Sequence, residues 1–255
     1  SGGSITSMLL GEQVNDYDVY IKNIDTLLKL VKYYTTPFAS EIKIIDGRNK
    51  PSGDWEGIEA ISIRNCKEDQ IKLFFKSKRG TFRPEVAPAK EGDKPAYKPV
   101  FFSPNAISLS DKLQIVIRFH GDNQQIHKTF DFIHATNYFT FEDGLVTNKA
   151  ALESIITKQL KYQGSLYPVT SIIRLKKFIK RGWNVNAGEM LKIMFQVSEL
   201  NLKDMEVLED QLSGVDVAFF EQLIEILRGV EPEKLNSAYL NEIIDRVFNM
   251  AEETD

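Results

Sequence analysis

The chain is short of the residues that build covalent and metal frameworks. Its single cysteine, Cys66, excludes an internal disulfide and a zinc site made from cysteines, and it fits a reducing compartment. The three histidines, His120, His127 and His134, fall seven residues apart, a spacing that strands and turns do not bring to one point. They read as satisfied structural histidines, with His134 on the strand face opposite Asp131. No apolar run approaches the roughly 20 residues that a membrane-spanning helix needs, so no membrane partner is expected. Charge of one sign is lacking as well: the net of −4 does not mark a nucleic-acid binder, although local clusters matter more than the sum. No Ser/His/Asp or Cys/His nucleophile arrangement has local support, and no internal repeat is present.

What remains is the composition of a soluble globular protein, 42% apolar and 27% charged, long enough at 255 residues for one large domain or two ordinary ones. The first part reads as strands with one amphipathic helix. That helix starts near Asp25 and ends before Pro37, with Leu27, Leu28, Leu30, Val31 and Tyr34 as its apolar positions. Strand-like runs follow at 41–46, 58–66 and 70–77, then at 100–109 and 112–121. The run at 127–135 is expected as a further central strand, joined to its predecessor by a hairpin. Between 78 and 99, four of the nine prolines and many charges indicate an extended loop or insertion, whose Lys78, Arg79 and Arg83 are candidates for phosphate contact. From about Thr147 the period changes to helical. One helix should run from an Asn148 cap to Gly164, a second start at Pro168 and a third be capped by Asn186, with three more to follow, over 202–214, 215–229 and 234–253. The fold class is therefore α+β: a mixed-sheet head over 1–146 and an all-helical domain over 147–255.

The chemistry concentrates at the start. Gly2, Gly3 and Ser4 precede a short apolar helical turn that stops at Gly11, and Asp16 and Asp18 follow on a strand-like VNDYDVYI. Aspartates two apart on a strand share a face and can reach one cation, while glycines ahead of a helix expose backbone N–H groups to a phosphate. A third carboxylate, Asp131, lies between Phe130 and Phe132, with Glu142 and Asp143 as a reserve acidic pair.

These residues resemble the signature of the DNA polymerase beta-like nucleotidyltransferase superfamily: a glycine turn, an Asp-x-Asp strand, and a later acid flanked by apolar residues. The resemblance implies a metal-dependent transfer of a nucleoside monophosphate from a nucleoside triphosphate to a hydroxyl, with RNA or the tRNA 3′ end as acceptor. Asp16, Asp18 and Asp131 would hold two Mg²⁺ or Mn²⁺ ions about 3.5 to 4 Å apart. Gly2, Gly3 and Ser4 would grip the triphosphate. It also implies a helix before the glycine turn, so a segment is expected ahead of Ser1.

Between Glu153 and Glu189, seven cations stand in 35 positions without an acid. On the second C-terminal helix Arg174, Lys177 and Arg181 share one face and can meet nucleotide or RNA. Pro168, Arg174, Lys177, Phe178 and Arg181 resemble the helical neck of the poly(A) polymerase and CCA-adding group. That group's aspartate is replaced here by Tyr167. The run from Phe130 to about Leu212 is similar to nucleotidyltransferase-like proteins of tailed phages, which implies a place in the host cytoplasm or the virion. Two other readings stand beside the enzyme: a non-catalytic nucleotide-binding or virion-associated member of the same fold, and a toxin-like enzyme modifying tRNA or protein.

Overall fold

The computed structural model describes residues 1–49, 66–76, 81–85 and 97–212, with short pieces at 226–227, 229–230, 238–239 and 242–243. Residues 58–65 of the strand expected over 58–66, Lys78 and Arg79, and most of the helices expected over 215–229 and 234–253 lie outside the described residues.

The chain opens with α1 (Gly3–Leu9), and Gly11 at φ 67° turns it toward β1 (Tyr17–Ile21). Helix α2 (Ile24–Thr35) starts where the Asn23 side chain accepts from the backbone N–H groups of Asp25 and Thr26, satisfying two donors that the first turn leaves open. Its buried Leu27 and Val31 are one turn apart, and each contributes roughly 1.5 to 3 kcal/mol by leaving water. Strands β2 (Ile42–Asp46) and β3 (Ile71–Phe75) form an antiparallel pair. A four-stranded mixed sheet is built from β4 (Pro99–Ser103), β5 (Ala106–Leu109), β6 (Leu113–His120) and β1, in the order β1-β6-β5-β4. Only the β1–β6 pairing is parallel, and it sets Asp18 opposite Gln114. Leu27, Val31, Ile42, Ile71, Leu73, Phe102, Ile107 and Ile117 fill the core of this part.

After β6 the structure departs from the alternating pattern. The segment read as a hairpin and a central strand is instead α3 (Asn123–His127), capped by a reciprocal Asp122–Gln125 box, followed by a bend at Asp131 and a 3-10 turn over Ile133–Ala135. The local capping chemistry of Asp122 outweighs the apolar alternation that suggested a strand. A small hairpin, β7 (Tyr138–Thr140) and β8 (Gly144–Val146), leads to the helices.

Helix α4 (Lys149–Thr157) begins at its Asn148 cap but ends well before Gly164, because Lys158 takes the left-handed conformation at φ 50°. The next residues are extended, with Gln159 bridging to Asn184 and Tyr162 to Phe132. Helices α5 (Pro168–Lys180), α6 (Ala187–Ser198) and α7 (Met205–Leu212) follow, α5 with proline in its first turn and α6 capped by Asn186. A second core joins Ile155, Leu160, Tyr162, Leu175, Trp183 and Ile193 to Phe132, with Leu10 packed against it. The helical half thus closes over residues from the start and middle of the chain. The mixture of a mixed sheet and several helices is that of the α+β class. Among the described residues no helix is long and apolar enough to cross a membrane.

Candidate functional site

Gly2, the residue before α1, has φ 91°, and a β-carbon there would stand 3.2 Å from Oδ2 of Asp18. A side chain at this point is disfavoured twice, by backbone conformation and by the carboxylate beside it. Gly3 has open space around it, whereas Ser4 is buried within α1. The glycine turn and Asp18 are therefore neighbours, and the space next to the turn is held by that carboxylate.

Asp18 accepts a hydrogen bond on Oδ1 from Nε2 of Gln114 at 2.9 Å. Its carboxyl is pushed up to about 6, first by burial and then by the charge of Asp16, with the Gln114 bond opposing. Asp16 itself is exposed, just ahead of β1. Tyr20, two residues beyond Asp18 on the same strand, packs at a tilt against Phe130, 5.8 Å between ring centroids. Its hydroxyl is pushed up by burial and by Asp18, and pulled the other way by Arg174. Tyr20 thus sits within reach of both the aspartate pair and the guanidinium of α5.

Asp131 is 8% exposed and committed on both oxygens: Oδ1 accepts from its neighbour's backbone at Phe132, and Oδ2 from Nε of Arg174 at 2.5 Å. A fixed cation and an amide thus each take up one acceptor site on its two oxygens. Asp143, the reserve acid, accepts from the Thr140 hydroxyl in the β7–β8 turn. Among the described residues no group of three or more His, Cys, Asp or Glu is placed to hold a metal ion. Asp16, Asp18 and Asp131, which the sequence offered as a two-metal centre, do not form such a group. The acid from the middle of the chain is paired with a cation of the protein instead of joining the first two.

The basic window is also more neutral than its sequence. Lys158 pairs with Glu12 at 3.4 Å, Lys161 with Glu153 at 3.2 Å, and Arg174 with Asp131. Lys177 and Arg181 remain exposed, so the three cations grouped by helical spacing divide into one that is engaged internally and two that face solvent.

Of the histidines, His127 Nε2 shares a 3.0 Å hydrogen bond with the Ser1 hydroxyl, and His120 Nε2 contacts the Asp69 carbonyl. His134 is fully buried between Phe178 and Trp183, at centroid distances of 4.6 and 4.4 Å, and neither ring nitrogen has a hydrogen-bond partner. It is a core residue as expected, but on a 3-10 turn instead of a strand, and not a satisfied one. Burial pushes its imidazole down to about 4, with Asp131 acting in the other direction. Gln114 and Tyr20 were not among the residues the sequence picked out, and His127 was read there only as a structural histidine. The first depends on a strand register, and the other two on packing between segments about a hundred residues apart.

A family model for the Gabija anti-defense 2 family protein matches residues 1–158. The chain belongs to that family. A protein of Bacillus phage SPbetaL7 named "Gabija anti-defense 2" is 24% identical over 147 residues, which cover 56% of this chain and 35% of that relative. The chain therefore spans about a third of the relative's length. No solved structure matches. Membership of this family replaces the expected nucleotidyltransferase superfamily. The nucleotide-transfer function, its RNA or tRNA acceptor and the ATP- and metal-binding properties inferred from that resemblance are withdrawn with it. A glycine turn followed by Asp-x-Asp is short enough to recur in unrelated chains, and here it misled. The phage connection expected from the sequence agrees with the source of the relative.

Proposed function

We propose that this chain counters the Gabija defence inside the host cell, and that it does so through the face where Asp18, Tyr20, Asp131 and Arg174 gather. The observation that carries the reading is the family match over 1–158, which contains Asp16, Asp18 and Asp131 together with the strand and turn that present them. The named activity of the phage relative gives the direction. The working face lies where residues before 147 meet the helices after it, since Arg174 of α5 reaches Asp131 there. The reading needs neither a bound metal nor a nucleotide.

The test is phage plating on cells that carry Gabija. Expression of this chain should restore plaques, and Asp18→Asn and Arg174→Ala should each reduce that restoration while the purified variants keep the wild-type circular dichroism spectrum. Failure of the wild-type chain to restore plating, when it accumulates in soluble form, would discard the reading. Full restoration by both variants would move the activity to another face.

A further inference from the structure

The β7–β8 hairpin exposes side chains that a solvent-facing hairpin ordinarily keeps polar. Phe139 and Leu145 are directly opposed across the two strands and both point outward, 56% and 53% exposed. Phe141 at the turn is 101% exposed, and its ring lies 5.9 Å from that of Phe139. Single exposed apolar residues are ordinary, but three contiguous ones on a structure this small form an anchor. The alternation is inverted relative to a hairpin that serves only as a connection, which would place these residues underneath.

The hairpin is also held in place. Asn137, just before β7, accepts on Oδ1 from the backbone N–H of Asn148 at 2.8 Å, and Asn148 Nδ2 donates to the Thr136 hydroxyl at 3.3 Å. Tyr138 packs on His127 at 5.6 Å, and the Ser1 hydroxyl donates to the Asn137 carbonyl. At the turn, the Thr140 hydroxyl accepts from the backbone N–H of Asp143 and donates to its carboxylate. An apolar tip presented on a braced hairpin loses little freedom on docking, which favours its use as an anchor.

The charges around the tip decide what it can meet. Glu142 and Asp143 directly follow Phe141, and Glu142 is exposed with no ion pair among the described residues. Two carboxylates beside the aromatic residues repel phosphate backbones and anionic lipid surfaces, and attract lysine and arginine.

We infer that the β7–β8 hairpin is a docking finger that seats Phe139, Phe141 and Leu145 in an apolar cleft bordered by lysine or arginine on a protein of the Gabija defence. The identity of the partner rests on the function proposed above, whereas the chemistry of its cleft rests on the hairpin alone. Phe141 is the anchor, and Glu142 sets its orientation.

The experiment places a photoreactive benzophenone side chain at position 141 of the full chain, with the exposed Tyr33 of α2 as the control position, in cells that carry Gabija. Plating is scored in the same cells. The expected result is restored plating, with an adduct to a Gabija protein from position 141 and none from position 33. Affinity capture of that protein on the purified chain should fall by roughly tenfold or more with Phe141→Ser. It should fall by a smaller factor with Glu142→Lys, which should also weaken the salt dependence of capture. Both substitutions are at exposed positions and leave the fold intact. Restored plating with an adduct to a second copy of this chain, to nucleic acid, or to nothing would overturn the docking finger and leave the proposed function standing. Unchanged capture by Phe141→Ser would overturn it as well. Absence of plating by the wild-type chain would remove the proposed function, and the docking proposal with it.

Discussion

At the level of single residues, the Asp18 carboxyl is the most informative group. Its value in the folded chain is raised to about 6, chiefly by burial and next by Asp16. The folded state therefore binds this proton more tightly than the unfolded state does. Stability contributed by the protonated form is present below the unfolded value near 4 and is lost as pH rises through about 6. Asp18→Asn should remove that decline: the difference in melting temperature between variant and wild type should grow from pH 4 to about pH 6 and then level off. A constant difference across the range would show that Asp18 titrates normally. Gly2→Ala is the second expectation at this scale. It combines a positive φ with a contact to Asp18 Oδ2, and it should cost about 1 to 3 kcal/mol in a denaturant titration.

Among the elements, the decisive contact is between α5 and the bend at Asp131. Arg174→Ala leaves a carboxylate that is 8% exposed without its cation. Removing one partner of a fully buried pair costs about 3 to 5 kcal/mol. The Arg174 side chain retains 38% exposure, and water partly replaces it, so a loss of about 1 to 3 kcal/mol is expected. The double variant Asp131→Asn with Arg174→Ala should recover part of that loss, because no charge is then stranded. A double variant no more stable than Arg174→Ala alone would show that the guanidinium stabilises through packing. The sequence registered both residues as important and assigned them to opposite tasks, one to a metal and one to a phosphate. It missed their pairing because residues 131 and 174 approach only when α5 lies across the turn after α3.

For the whole molecule, the second of the three core clusters draws on residues from both sides of the change of period near Thr147. Phe132 is fully buried among Ile155, Leu160, Tyr162, Leu175 and Trp183, and Leu10 packs on the same cluster. A chain ending at 146 would expose Phe132 and strand Asp131. It should lose cooperative thermal unfolding and bind a dye specific for exposed apolar surface, and a sharp transition in that fragment would show that the head folds alone. Phe132→Ala in the full chain should cost about 3 to 5 kcal/mol, with sheet and helices losing stability together.

Local chemistry was enough to specify α2, β2, β3, β6, α5 and α6. Their periodicity, the Asn23 and Asn186 caps and the proline opening α5 act within a few residues of the backbone they organise. The nearness of the glycine turn to Asp18 was legible for the same reason, since fewer than twenty residues join them. The fate of Asp131 was not, nor was the early end of α4 at Lys158 or the burial of His134 without a partner. Each is settled by groups distant in the chain, whose packing and charge outweigh the local pattern. Alternation alone does not distinguish a strand bearing a metal ligand from a turn whose acid is tied to an arginine 43 residues later.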